Sequence, residues 1–228
     1  MSSRKAELHA NLVSVQERVA STALAVGRNV DEITLVVVTK TFPIEDIEIL
    51  YELGVRNFGE NRDQEGSVKA PAMPADCVWH FQGQIQSNKL KSICEWADVI
   101  HSLDSAKHAQ KIAELGTNAR ILVQVALETK FREGRGGVDP DRLAEFLEDV
   151  ITRKRLNVAG LMAVAPLDEA PEPAFARLAE LSAKSRSTWP QLSTISAGMS
   201  GDFEAAISQG ATLVRVGSSI LGHRAPLL

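Results

Sequence analysis

A chain of 228 residues, 44% of them apolar, has material for a sizeable core; a globule of this length buries about 70–75% of its unfolded surface, which excludes disorder as the main state. The charges nearly balance, 25 basic against 29 acidic for a net −4, and this argues against an extended nucleic-acid footprint, which needs clustered Lys and Arg. No apolar run approaches the ~18 residues of a membrane-spanning helix, and the opening MSSRKAELHANL sets Glu7 where a secretory leader needs an apolar stretch. Cys77 and Cys94 stand 17 residues apart with no CxxC pairing, a pattern expected of buried thiols in a reducing compartment. The expectation is a soluble cytoplasmic protein.

In chain order the first element is a long helix on which Leu8, Leu12, Val15 and Val19 form one stripe, placed to close the bottom of a larger body or to pack on its side. Eight β-rich runs follow at residues 35–39, 57–60, 78–82, 99–102, 120–126, 158–164, 194–197 and 213–216. Several, such as LVVV and ILVQVAL, are near-continuous apolar runs, as parallel strands covered on both faces require. After the first run, Pro43 fits the first position of a helix bearing Ile47, Leu50 and Leu53. After the fourth, Ser105 is placed to cap a helix over 106–115 that Gly116 stops. Asp139 and Pro140 open a helix whose inner face is Leu143, Phe146, Leu147 and Val150, and Ser200 or Gly201 starts one over 202–209 that Gly210 closes. Strict alternation with eight strands predicts a single (β/α)8 barrel with an extra N-terminal helix, one domain over residues 1–228. An open doubly wound sheet is the alternative, but no GxGxxG follows the first strand.

Barrel sites lie at the C-terminal ends of the strands. Those ends carry Lys40, Glu60–Asn61, His80, His101 with Asp104, the run Gly198–Met199–Ser200, and the run from Arg215 to Ser219. Lys40, after three valines, either reaches solvent or pairs with a carboxylate such as Glu60, or is a desolvated amine that forms a Schiff base. The last two loops, AGMSGD and VGSS, set small residues with free N–H groups where such barrels bind phosphate, or they are ordinary turns. Arg215 points into the barrel or makes a structural ion pair. A reactive lysine opposite a phosphate site, with an arginine nearby, is the layout that a pyridoxal phosphate site requires.

Seven segments carry a resemblance: VVVTKTFP (36–43), FGENRDQE (58–65), WHFQGQIQSNK (79–89), HSLDS (101–105), GLMAVAP (160–166), SAGMSGDFEAAISQG (196–210) and VRVGSSILGHR (214–224). Through them the sequence resembles the pyridoxal phosphate homeostasis protein family, relatives of the N-terminal barrel of bacterial alanine racemase, in order over nearly the whole chain. The resemblance implies pyridoxal 5′-phosphate held as a Schiff base on Lys40. It implies that Ser200, Gly217 and Ser218 hold the phosphate, Arg215 faces the pyridine nitrogen, and Asn61 and Met199 line the pocket. It further implies a non-catalytic, monomeric carrier that helps supply the cofactor to pyridoxal-phosphate-dependent apo-enzymes. Thr39 departs from the family's usual serine, Ala197 from its common methionine, and the charged stretch 128–137 reads as a solvated loop.

Two other functions compete. An amino-acid racemase needs acid and base groups on both faces of the substrate Cα. The only tyrosine, Tyr51, lies in the helix after the first strand, the chain stops 11 residues after Gly217, and His80 is left as a candidate base. The third class is a barrel enzyme that acts on a phosphorylated metabolite without a cofactor.

Overall fold

A computed structural model describes residues 3–128 and 136–222, and all eight expected strands form. They are β1 (Thr34–Val38), β2 (Asn57–Glu60), β3 (Val78–Phe81), β4 (Val99–Leu103), β5 (Arg120–Gln124), β6 (Val158–Met162), β7 (Thr194–Ser196) and β8 (Leu213–Val216). Each pairs in parallel with the next and β8 pairs with β1, so the sheet closes into a barrel in chain order. At the closure, Thr34, Leu35, Val36 and Val37 lie against Leu213, Val214, Arg215 and Val216. Successive side chains of a strand face opposite ways. His80, His101, Ser196 and Arg215 therefore point inward with Val99, Leu122 and Met162. Phe58, Trp79 and Phe81 point outward, in ring contact with one another or with Trp96 at 5.5–6.5 Å.

The N-terminal helix α1 (Ser3–Ala25) buries Leu8, Leu12, Val15 and Val19. It lies on the barrel's side rather than across its bottom, packed on α8 (Phe203–Ser208) and α9 (Ser218–Leu221). Asn11 Nδ2 donates to the Ile220 carbonyl at 3.0 Å and Arg4 Nη2 to that of Leu221 at 3.1 Å. The other helices are α2 (Ile44–Glu52), α3 (Asp63–Ala72), α4 (Leu90–Trp96), α5 (Ala106–Leu115), α6 (Leu143–Glu148) and α7 (Pro171–Thr188).

Helix starts differ from the sequence expectations in three places. Pro43 is the N-cap of α2 rather than its first residue. Ser105 sits at the N-cap of α5 without bonding its side chain to the backbone, although Gly116 ends that helix at φ 68° as expected. Neither Ser200 nor Gly201 starts α8: the N-cap is Asp202, whose carboxylate accepts from the Met199 amide at 2.6 Å and folds the preceding turn. Asp139 does cap, accepting from the Asp141 amide at 2.9 Å. Leu143, Leu147 and Val150 are buried behind it, with Phe146 half-buried. Cys77 and Cys94 form no disulfide; Cys77 is buried and Cys94 half-buried, and burial raises the pKa of both, against a hydrogen bond with Thr117 at Cys94. No described helix is long and apolar enough to cross a membrane. Residues 129–135 of the stretch read as a solvated loop lie outside the described residues.

Gly160 is required where β6 meets β7, because a Cβ there would stand 1.9 Å from the Thr194 carbonyl oxygen. Gly160→Ala should destabilise the barrel by about 1–3 kcal/mol or more, as overpacking does. In a chain this long each kcal/mol lowers Tm by about 2–4 °C. Gly201 has open space around its Cβ position, and Gly201→Ala should leave Tm unchanged in the same calorimetric scan.

Candidate functional site

The pairing of β1 with its two neighbours assembles the site. Val38 lies against Gly59 of β2, so Lys40 and Asn61 leave adjacent strands side by side. On the other flank Val37 lies against Val216, which sets Gly217 beside Val38; a Cβ on Gly217 would stand 3.1 Å from the Val38 carbonyl. The amides of Gly217 and Ser219 both donate to a single oxygen, Ser200 Oγ, at 3.3 Å each. Two amides and a hydroxyl thus converge at the start of α9, with Ser218 exposed beside them. Gly198 turns the chain into this loop at φ 90°. Of the seven candidate residues, six gather at or directly beneath this mouth, and Met199 lies on the loop with 41% of its surface exposed.

Lys40 itself is exposed, so the desolvated amine envisaged from sequence is not what forms. Nor does it pair with Glu60. That carboxylate is fully buried and belongs to Lys69, a lysine of α3 that sequence reading passed over. All three donors of the Lys69 ammonium are used: on Glu60 Oε1 at 2.7 Å, Glu65 Oε2 at 2.9 Å and the Thr39 carbonyl at 3.0 Å. Thr39 Oγ1 donates to Glu60 Oε1 at 2.7 Å, and the Thr41 amide to Glu65 Oε2 at 2.6 Å. Burial raises the pKa of Glu60 against the pull of Lys69 and Thr39. Burial also pushes Glu65 up, but the hydrogen bonds from Lys69 and Thr41 outweigh it and leave its pKa below the usual range. Thr41 stands at φ 67°, a left-handed conformation that costs a β-branched residue about 1–3 kcal/mol.

A second network fills the barrel interior. Arg215, 5% exposed, donates to Ser196 Oγ at 2.6 Å and to the Ala163 carbonyl at 3.0 Å. Ser196 Oγ meets His101 Nδ1 at 3.0 Å, His101 Nε2 meets His80 Nδ1 at 2.9 Å, and His80 Nε2 meets Asn57 Oδ1 at 3.1 Å. A carbonyl oxygen at one end and an arginine at the other fix the polarity. His80 donates to Asn57, His101 to His80, Ser196 to His101, and Arg215 to Ser196. Both imidazoles are neutral. Burial is the main cause, holding the pKa of His80 at about 3 and that of His101 well below the ordinary value. Burial also lowers Arg215 to about 10, so it stays cationic at neutral pH, and it has no ion pair among the described residues. His80 and His101, expected from sequence at the strand ends, are therefore interior residues with both ring nitrogens occupied. Tyr51 is also remote from the mouth, its hydroxyl on Asp76 at 2.9 Å before β3.

The rest of the mouth opens into a cavity of about 270 Å3 lined by Gln82, Ser102, Asp104, Gln124 and Met162. Asn61 lines a second hollow of about 400 Å3 with Phe81 and Lys89. A hollow of about 570 Å3 between Asp104 and α6 holds none of the candidate residues; polar convergence, not volume, marks the site. Lys69 carried one readable signal: it stands four residues after Glu65, the spacing of a helical ion pair.

The family model of the alanine racemase N-terminal domain matches residues 8–225, which span the closed (β/α)8 barrel, Lys40 at the end of its first strand and the Ser200–Gly217–Ser219 convergence after its last two. The pyridoxal phosphate homeostasis protein of Mycobacterium bovis is 38% identical over 97% of this chain and 94% of its own length. That of Escherichia coli is 35% identical over 94% and 95%. PipY of Synechococcus elongatus, solved with pyridoxal phosphate bound, superposes with a TM-score of 0.78 at 32% identity, covering 91% of this chain and all of that one. The chain belongs to the pyridoxal phosphate homeostasis protein family.

The buried neutral histidines set a pH dependence. Unfolded, both take up protons as pH falls through about 6.5; folded, neither does until far lower. Their contribution to stability is present above pH 6.5 and lost as pH falls toward the folded values, by up to about 1.4 kcal/mol per pH unit for each proton. Glu60, with its raised pKa, opposes this with at most one proton, so the histidines prevail. The urea midpoint should fall between pH 7 and pH 5, and the fall should be smaller in His80→Gln/His101→Gln.

Proposed function

We propose that this protein binds pyridoxal 5′-phosphate covalently at Lys40 and serves its intracellular homeostasis, holding and releasing the cofactor for pyridoxal-phosphate-dependent apo-enzymes as a monomer without turnover of its own. The observation that carries the reading is the convergence of the Gly217 and Ser219 amides on the Ser200 hydroxyl, set beside Lys40 by the β1–β8 register. Backbone amides aimed at one point, with hydroxyls around them, suit a phosphate group, so the residues present fit the cofactor. The names of the relatives and the ligand of PipY support the same assignment.

When bound, the cofactor supplies an aldehyde that condenses with a primary amine and releases water. The chain's own residues divide the remaining work. Ser200, Gly217 and Ser218 hold the phosphate, while Asn61 and Met199 line the pocket. Arg215 is anchored by Ser196 and Ala163 and would offer its remaining N–H groups to the ring nitrogen of a bound cofactor. A cation there disfavours a proton on that nitrogen and weakens the ring as an electron sink. The racemase alternative needs a base on each face of the substrate. His80, the base it had in sequence, is 1% exposed with its ring nitrogens bonded to His101 and Asn57, which favours the carrier.

Borohydride reduction of the loaded protein should leave a pyridoxyl group on Lys40, located by peptide mass mapping, and Lys40→Ala should lose it while keeping its Tm. Ser200→Ala should weaken cofactor binding by about 1–3 kcal/mol, the worth of a hydrogen bond to a charged group. Arg215→Ala should shift the absorbance maximum as well. Exchange of alanine Cα–H in deuterated water, followed by NMR, should stay well below about 1 per second, the lower end of typical enzyme turnover.

A further inference from the structure

We propose that Glu65 and Lys69 are positioning residues that hold Lys40 in register with the phosphate cradle by clamping the residues on either side of it. The proposal rests on the reading of Lys40 as the attachment point. The Lys40 side chain has no hydrogen-bond or ion-pair partner among the described residues, so its direction is set by its backbone alone. That backbone is bracketed. Before it, the Thr39 amide donates to the Gly59 carbonyl, the Thr39 carbonyl accepts from Lys69, and the Thr39 hydroxyl donates to Glu60. After it, the Thr41 amide donates to Glu65 Oε2 at 2.6 Å. Lys69 joins the two sides, since one ammonium holds the Thr39 carbonyl and both carboxylates.

Thr41 is where the clamp works against a preference. A β-branched residue does not adopt φ 67° unless its surroundings impose it. The Phe42 amide donates to the Thr39 carbonyl at 3.1 Å and closes a turn over Lys40 and Thr41, and the Glu65 carboxylate holds the Thr41 amide within it. Without the Glu65 bond that turn keeps one tie instead of two, Thr41 relaxes toward the ordinary β or α region, and the backbone that carries Lys40 shifts with it. The phosphate cradle lies on β7–β8 and α9, and its hydrogen bonds involve no clamp residue. The clamp therefore governs condensation at Lys40 and leaves anchorage of the phosphate alone.

Two ligands separate these effects: pyridoxal 5′-phosphate, and pyridoxine 5′-phosphate, which carries an alcohol in place of the aldehyde and cannot condense. Both are titrated, and the rate of borohydride-trapped labelling at Lys40 is followed, in the full-length wild type, Glu65→Ala, Glu65→Gln, Thr41→Gly and the double variant E65A/T41G. We expect Glu65→Ala to weaken the aldehyde ligand and slow labelling at least tenfold, with pyridoxine 5′-phosphate affinity within twofold of wild type. Glu65→Gln, which still accepts from the Thr41 amide, should keep most of the wild-type rate. Thr41→Gly should restore labelling in the E65A background, because glycine holds a positive φ unaided. Should Glu65→Ala not fold, the double variant against Thr41→Gly gives the same comparison, and a labelling rate more than threefold below that of Thr41→Gly overturns the idea. Equal losses for both ligands, an unchanged labelling rate in Glu65→Ala, or no rescue by glycine also overturn it. A wild-type chain that gains no label at Lys40 overturns the attachment reading and the clamp with it, whereas normal wild-type labelling matched by Glu65→Ala sinks the clamp alone.

Discussion

The pairing of β1 with β8 is the constraint on which everything else depends. Lys40 and Gly217 lie 177 positions apart in the chain, and only the register that sets Val37 against Val216 brings their strand ends together. The entropic cost of closing so long a loop grows slowly, by about 0.6 kcal/mol per doubling of length. Four residue pairs, Val37, Val214 and Val216 among them fully buried, offset it locally. Closure also removes the sheet's free edges, which an open arrangement would leave to unwanted pairing.

Two polar networks then share the protein, and they handle charge in opposite ways. Outside the barrel wall, Lys69 meets two carboxylates and the charges compensate one another. Inside it, Arg215 is a buried cation whose partners are a hydroxyl and a carbonyl, an arrangement that is costly to desolvate. A carboxylate at Ser196 would relieve that cost and also cancel the positive potential beneath the mouth. The neutral histidines extend the hydrogen bonding to Asn57 without cancelling it. The interior thus spends stability to keep a positive charge that no described ion pair holds and that only the field of Asp202 eases, where an anionic ligand would feel it.

The barrel was legible in the sequence because strand runs such as LVVV and ILVQVAL depend on local pattern, and so were the strand-end positions of Lys40, Asn61, Ser200 and Gly217. What failed to show was anything decided by a distant partner. Glu60 looked available to Lys40, and only the packing of α3 against β2 reveals that Lys69 holds it. His80 and His101 looked like mouth residues, and the strand phase that turns them inward is a matter of one position in two. Ser200 looked like a helix start, but the Gly217 and Ser219 amides claim its hydroxyl from another strand. The positive φ of Thr41 had no signal at all, since threonine is a residue type that avoids it.

The bracing of α9 by α1 has a consequence for synthesis. Asn11 and Arg4 hold the carbonyls of Ile220 and Leu221, so the element that carries the Ser219 amide is secured by a helix made before any of the eight strands. The last-made part of the site docks on a surface that an earlier-made helix has kept waiting. A nascent chain that has not yet reached residue 219 carries Lys40 but lacks one of the two amides that meet the Ser200 hydroxyl. The order of synthesis thus leaves that convergence to be completed last, on a support already in place.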